Sequence, residues 1–181
     1  MLNDFRKFVG FKILEYFLLN PTKKTYIKEL AKELNVSPAS VIKYGDIYYR
    51  EDLIKKEVKG NLHLYYTNND NFRIRELKRA FYVNMIGELN IDKIAENPIS
   101  VALYGSHANG TFDEKSDIDL LIIGIKEKIN KDLIVKIGNK LGKEIQINII
   151  SMTNWENKKK EDDAFVKSVI KNHVLIKGVE L

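Results

Sequence analysis

The sequence of 181 residues contains no cysteine, three histidines and three prolines. The missing cysteines exclude disulfide frameworks, thiolate zinc sites and cysteine nucleophiles. His63, His107 and His173 are too few and too scattered to form a histidine metal cluster, so any metal must sit on carboxylates. No stretch reaches the roughly 18 consecutive apolar residues that a membrane span requires. The start, Met1-Leu2-Asn3-Asp4-Phe5-Arg6-Lys7, lacks the order of a signal peptide, and a soluble cytoplasmic protein without membrane partners is expected. Internal repeats and low-complexity tracts are also lacking. What is present is 44% apolar and 10% aromatic residues, enough for a core and too much for a disordered chain. The length suits one ordinary domain or two small ones. The net charge of +5 is uneven: residues 1–68 carry 12 basic and 8 acidic residues, residues 69–98 five of each, and residues 99–181 13 and 12. A nucleic-acid partner would therefore be sought first in the N-terminal third.

From Leu2 to Leu19 the residues Phe5, Phe8, Val9, Ile13, Leu14, Phe17 and Leu18 recur at helical steps, and Asn20-Pro21 closes the run. Ile27, Leu30, Ala31 and Leu34 trace a second helix. After Asn35-Val36, Ser37 can cap and Pro38 can open a third, which is expected to carry Val41, Ile42 and Ile47 inward and Ser40, Lys43 and Tyr44 outward. Gly60-Asn61, between Lys55–Lys59 and Leu62–Thr67, signals a tight hairpin. This order resembles a winged helix-turn-helix over residues 1–68. The resemblance implies double-stranded DNA as a partner, with Ser40, Lys43 and Tyr44 facing the major groove and the Gly60-Asn61 wing touching phosphate or minor groove. Arginine is scarce here, only Arg6 and Arg50, which leaves little bidentate guanine readout. The competing reading is a helical packing module with solvated lysines.

Phe72, Ile74, Leu77, Ala80, Phe81, Met85, Ile86 and Leu89 keep a helical period through a connector assigned to residues 69–98. Its apolar stripe needs a partner, and a homodimer is the expectation.

Ile99–Tyr104 reads as a short buried strand running into Gly105-Ser106-His107-Ala108-Asn109-Gly110. Glycine lets backbone approach an anion, Ser106 can donate a hydroxyl, and a helix starting there would add amides and its dipole, so the turn suits phosphate. His107, just after the turn, is placed to contact a nucleotide, but an exposed polar residue without a role fits there equally well, and it is left out of the site. Asp117-Ile118-Asp119 opens the next strand, Leu120–Ile123, with both carboxylates on one face. Such a pair can hold magnesium, which prefers oxygen ligands. Lys158-Lys159-Lys160 beside acidic residues reads as a solvated helix start, followed by a helix over Asp163–Asn172 and a closing strand over Val174–Lys177.

Together, Gly105-Ser106, Gly110 and Ser116-Asp117-Ile118-Asp119-Leu120-Leu121-Ile122 resemble the signature of the DNA polymerase beta nucleotidyltransferase superfamily in its minimal form. The resemblance covers residues 99–181 and implies an α+β two-domain protein whose second domain is a mixed sheet flanked by helices. It implies Gly105, Ser106 and Ser116 on a nucleoside triphosphate, Asp117 and Asp119 as catalytic ligands of Mg²⁺, and transfer of a nucleoside monophosphate to a hydroxyl. It also allows a protein partner. Active members usually carry a third carboxylate on a neighbouring strand. The candidate strand, Glu144–Ile150, offers Gln146 at that position, Asn148 second, with Glu144 on the same face. Two readings therefore stand: an enzyme coupled to DNA binding, or a transcriptional regulator whose nucleotidyltransferase fold senses nucleotide or binds a partner.

Overall fold

Ser37 and Pro38 open a helix as the sequence requires: the Ser37 side chain accepts from Ser40 N–H, and Pro38 occupies the first turn. This helix belongs to the first of two compact units, Met1–Lys78 and Arg79–Leu181, in a computed structural model that describes residues 2–60, 62–125 and 128–181. The first unit runs α1 (Leu2–Phe5), α2 (Val9–Leu19), β1 (Thr25–Tyr26), α3 (Ile27–Leu34), α4 (Pro38–Arg50), β2 (Ile54–Lys59) and β3 (Leu62–Thr67). Its antiparallel sheet has the order β1-β3-β2. The core joins Ile13, Tyr16 and Phe17 of α2 to Leu30, Ala31, Val41, Ile54 and Tyr65.

Three expectations change here. The first helix is split: at Phe8 the backbone is extended (φ −88°, ψ 120°), and Arg6 folds back so that its Nε donates to Glu15 at 2.8 Å. Phe5 and Phe8 are consequently exposed, and the apolar period does not pass through the break.

Helix α4 is rotated relative to its expected phase. Val41 is buried, but Ile42 and Ile47 are exposed while Tyr44 and Tyr48 pack on the core. The reason is room for rings. Gly10 of α2 leaves space that a β-carbon would fill only 2.5 Å from Tyr44 Cε1, and Gly45 seats the Tyr65 ring. Tyr48 O–H donates to Gly10 C=O at 2.7 Å, so the aromatic face buries more apolar area than isoleucines would and keeps its polar atom satisfied.

The third change is β1, two residues too short to read as a strand, which adds an edge to the hairpin through Thr25–Tyr65 and Tyr26–Leu64 pairing. Gly60 turns with φ +59°, and Asn61 lies outside the described residues.

The boundary between the units falls inside α5 (Phe72–Gly87), so the segment assigned to a separate connector is divided between them. The second unit continues with β4 (Ser100–Tyr104), α6 (Gly105–Asn109), β5 (Ile118–Ile123), α7 (Lys131–Leu141), β6 (Ile145–Ile150), α8 (Met152–Lys160), α9 (Ala164–Lys171) and β7 (Val174–Gly178). The sheet order is β6-β5-β4-β7, with β5 and β6 parallel and the other pairs antiparallel. Val101, Ala102, Leu103, Leu120 and Leu121 have no exposed surface, as expected for central strands covered on both faces. Trp155, Val166 and Val169 from α8 and α9 pack on Leu121 and Ile123. Lys158, Lys159 and Lys160 form the last turn of α8 rather than a helix start, where positive charge complements the helix dipole. Lys158 Nζ reaches Asp163, the cap of α9, at 2.7 Å.

Candidate active site

Strand pairing brings three side chains into one row. Tyr104 lies opposite Asp119, and Asp119 opposite Gln146, so β4, β5 and β6 present them on a common face. Asp117, one residue before β5, joins the row through Gln146, whose Nε2 donates to Asp117 Oδ2 at 2.8 Å. Asn148, two residues further along β6, donates its amide to the Tyr104 hydroxyl. Burial and the nearby Asp117 charge raise the Asp119 carboxyl above the ordinary carboxylate range. The Tyr104 hydroxyl is likewise raised, chiefly by burial.

Gly105 is required twice. Its φ of +69° suits glycine, and a β-carbon there would overlap the Asp119 carboxylate. The turn that the sequence assigns to phosphate is thus also the space into which the metal-ligand candidate fits. Helix α6 is a single turn of five residues, so the expected helix dipole gives way to the local backbone amides and the Ser106 hydroxyl. Among the described residues that hydroxyl has no hydrogen-bond partner. Ser116 is placed otherwise: its Oγ donates to Asp113 Oδ1 and accepts from Asp113 N–H, both at 2.9 Å, which closes the turn leading into Asp117. These bonds hold the Asp113 carboxyl below its ordinary range.

His107 corrects the expectation of an exposed side chain. It has no exposed surface, stacks on Phe112 with centroids 4.5 Å apart and meets the Tyr82 ring at a tilt with centroids 4.1 Å apart, forming an aromatic floor under the turn. Its position on the inner side of α6 follows from the one-turn helix, which sends Ser106 and His107 in different directions.

Lys143 was not legible as a site residue. Its Nζ donates to the carbonyls of Asp113, Glu114 and Ser116 at 3.1, 3.1 and 2.8 Å, tying the start of β6 to the loop that delivers Asp117. Partial burial lowers its pKa. Its only sequence signal is a lysine directly after Gly142, too common to be read.

Two carboxylates that share a partly desolvated site gain from a divalent cation, which favours their charged forms, and oxygen donors suit Mg²⁺. Asp117 and Asp119 fit such an ion as a pair. Among the described residues no group of three or more His, Cys, Asp or Glu side chains could hold a metal, so Glu144 does not complete the set.

Among the residues expected on DNA, Lys43 is exposed on α4, Ser40 Oγ pairs with Ser37 Oγ at 2.9 Å, and Tyr44 faces the core. Tyr44 is therefore corrected to a packing residue.

No curated protein matches the chain. Of solved structures, the chain is similar to the crystal structure of a toxin-antitoxin with AMP-PNP, 19% identical over 54% of this chain and 73% of that one, with a TM-score of 0.38. It is also similar to a Sulfolobus solfataricus protein described as a nucleotidyltransferase, 23% identical over 62% of this chain and 88% of that one, with a TM-score of 0.26. The family model for the nucleotidyltransferase domain matches residues 89–176 of the chain.

Proposed function

We propose that the second unit binds a nucleoside triphosphate with Mg²⁺ on Asp117 and Asp119, that its transfer of a nucleoside monophosphate to a hydroxyl is slow, and that the first unit engages duplex DNA. The observation that carries the catalytic part is the row Asp117, Asp119, Gln146. Where a third carboxylate would complete the site, the side chain is an amide, and it already donates to Asp117. An amide cannot take the proton of an attacking hydroxyl, and it offers a cation a neutral oxygen in place of an anion. Bound magnesium would neutralise triphosphate oxygens and align them for in-line attack. The chain's own groups do the rest: Gly105 and Ser106 contact phosphate, the Ser116–Asp113 turn and Lys143 hold Asp117 in place, and Tyr104 and Asn148 border the face.

The DNA part is supported by the order helix, strand, helix, helix, hairpin, with β1 closing onto β3, and by exposed Lys43 on α4. The regulator reading is supported by the same two features: an amide in place of the third carboxylate and an N-terminal unit with this element order suit a nucleotide sensor. A protein partner and a homodimer remain part of this reading.

Calorimetry with nucleoside triphosphates, with and without Mg²⁺, tests the nucleotide site. Magnesium-dependent binding is expected, and Asp117→Ala with Asp119→Ala should abolish that dependence; unchanged binding in the double variant sinks the metal assignment. Incubation with labelled triphosphate and cell extract tests transfer, which should be slow and should rise in Gln146→Asp. Brisk transfer by the natural chain that is lost in Glu144→Gln would instead make Glu144 the third ligand.

A further inference from the structure

Strand β6 is the outermost strand of its sheet, and no described strand pairs with its outer side. Two bonds settle which of its backbone groups face outward. Ile118 N–H donates to Glu144 C=O at 2.9 Å, and Gly124 N–H donates to Ile150 C=O at 3.1 Å. In a strand, the N–H and C=O of one residue point to the same side, and successive residues alternate. The even-numbered residues from Glu144 to Ile150 therefore face β5, and Ile145, Ile147 and Ile149 present their N–H and C=O groups to the open side.

The composition of this edge is unusual for one left open. Ile-Gln-Ile-Asn-Ile-Ile has no charge and no proline, the devices that normally prevent edge pairing. The other edge of the sheet is interrupted and charged: β7 pairs with β4 through a register shift at Val101/Ala102, carries Lys177 and ends at Gly178 with φ +97°.

The outward groups are also self-complementary. A two-fold axis at Ile147 sets Ile147 opposite Ile147 of a second copy and Ile145 opposite Ile149, in antiparallel sense. Every such pair exchanges two backbone hydrogen bonds, and no outward group of the three isoleucines is left over. The same alignment sets Gln146 against Asn148 of the second copy, amide beside amide, on the face that holds Asp119. The isoleucines meet on the opposite face. A charged residue at any of these positions would face itself or a neighbour across the axis; the strand has none.

We propose that β6 pairs with β6 of a second copy of this chain across this two-fold, joining two four-stranded sheets into one. The contact is isologous and uses up the edge it forms from, so assembly stops at two chains. It does not depend on what Asp117 and Asp119 bind, and dimer mass and magnesium-dependent nucleotide binding are separate readouts.

Sedimentation of the full chain should give twice the single-chain mass of 21.0 kDa. Ile147→Pro removes only an outward N–H, leaves the pairing with β5 intact and should return the mass to that of one chain. A single-chain mass for the natural protein, or a folded Ile147→Pro variant that keeps the doubled mass, overturns the proposal. Cross-linking tests the register in chains with an otherwise natural edge. Because the sequence has no cysteine, Gln146→Cys and Asn148→Cys chains carry one thiol each. On mixing and mild oxidation, the two variants should join to each other roughly tenfold faster than either joins to itself, since only opposed positions reach disulfide geometry. Equal rates, or no cross-link, overturns it.

Discussion

Asp119 shows how the site works against the fold that carries it. Its carboxyl is pushed up by burial and by Asp117, so the native state holds that proton more tightly than the unfolded chain does. The sign follows: stability is greatest below the ordinary aspartate range, falls as pH rises through the raised native value, and stays lower above it. Mg²⁺ should reverse the loss at neutral pH. Asp119→Asn removes the charge, and in metal-free buffer near pH 7 it should melt roughly 1–3 °C above the natural chain while losing stabilisation by Mg²⁺. A variant that melts lower and still responds to Mg²⁺ would remove Asp119 from the metal site. Gly105 is the other single residue on which the site depends. Gly105→Ala combines a positive φ with overlap of the Asp119 carboxylate, and should cost about 1–2 kcal/mol in denaturant unfolding and abolish magnesium-dependent nucleotide binding together.

At the scale of elements, the loop into β5 is held from outside. Three carbonyls, those of Asp113, Glu114 and Ser116, converge on Lys143 Nζ, a group from the start of another strand. Lys143→Met keeps the stem and removes the donors. It should destabilise the unit by about 1–2 kcal/mol in urea unfolding and weaken Mg²⁺ binding by letting Asp117 wander; Lys143→Arg should restore part of both. Unchanged magnesium affinity would make the clamp purely structural. This clamp also marks the limit of what the sequence makes legible. The acidic pair and the glycine turn can be read because strand alternation and short spacing fix their relation locally, whereas the amide at Gln146, 29 positions from Asp117, is legible only through the third carboxylate that the family resemblance leads one to expect on a neighbouring strand. Lys143 acts on residues 27 to 30 positions away, and no period reports that. The phase of α4 is obscured for a similar reason: Tyr44 reads as outward until Gly10, on a different helix, supplies the space that makes the rings of Tyr44 and Tyr48 the better core. His107 looked exposed because its partners Tyr82 and Phe112 come from α5 and from beyond Gly110. The two-residue strand β1 is too short to read, whereas helix α7 carries a legible stripe in Leu133, Ile134, Ile137 and Leu141.

For the molecule as a whole, the net positive charge overstates what is free to meet DNA phosphates. In the first unit Lys23 pairs with Glu33, Lys24 and Lys59 with Glu57, Lys55 with Asp70 and Lys56 with Asp46, so the hairpin's lysines are largely compensated within the fold. Exposed ion pairs contribute little to stability, yet each must be broken or shared before its lysine can release a counterion. Among the described residues, Lys28 and Lys32 on α3 and Lys43 and Arg50 on α4 are exposed cations outside any ion pair. Three or four phosphate contacts then give a salt slope of about −3 per chain, shallow for a duplex-binding protein. Fluorescence anisotropy of the full chain on labelled duplex, titrated across salt concentrations, should show that slope. Lys43→Ala should flatten it by about one. Glu57→Gln should steepen it, because a single substitution frees both Lys24 and Lys59. A slope that Glu57→Gln leaves alone while Lys43→Ala flattens it would place the contact on α3 and α4 without the hairpin, and a slope near zero in the natural chain would leave the first unit as a packing module.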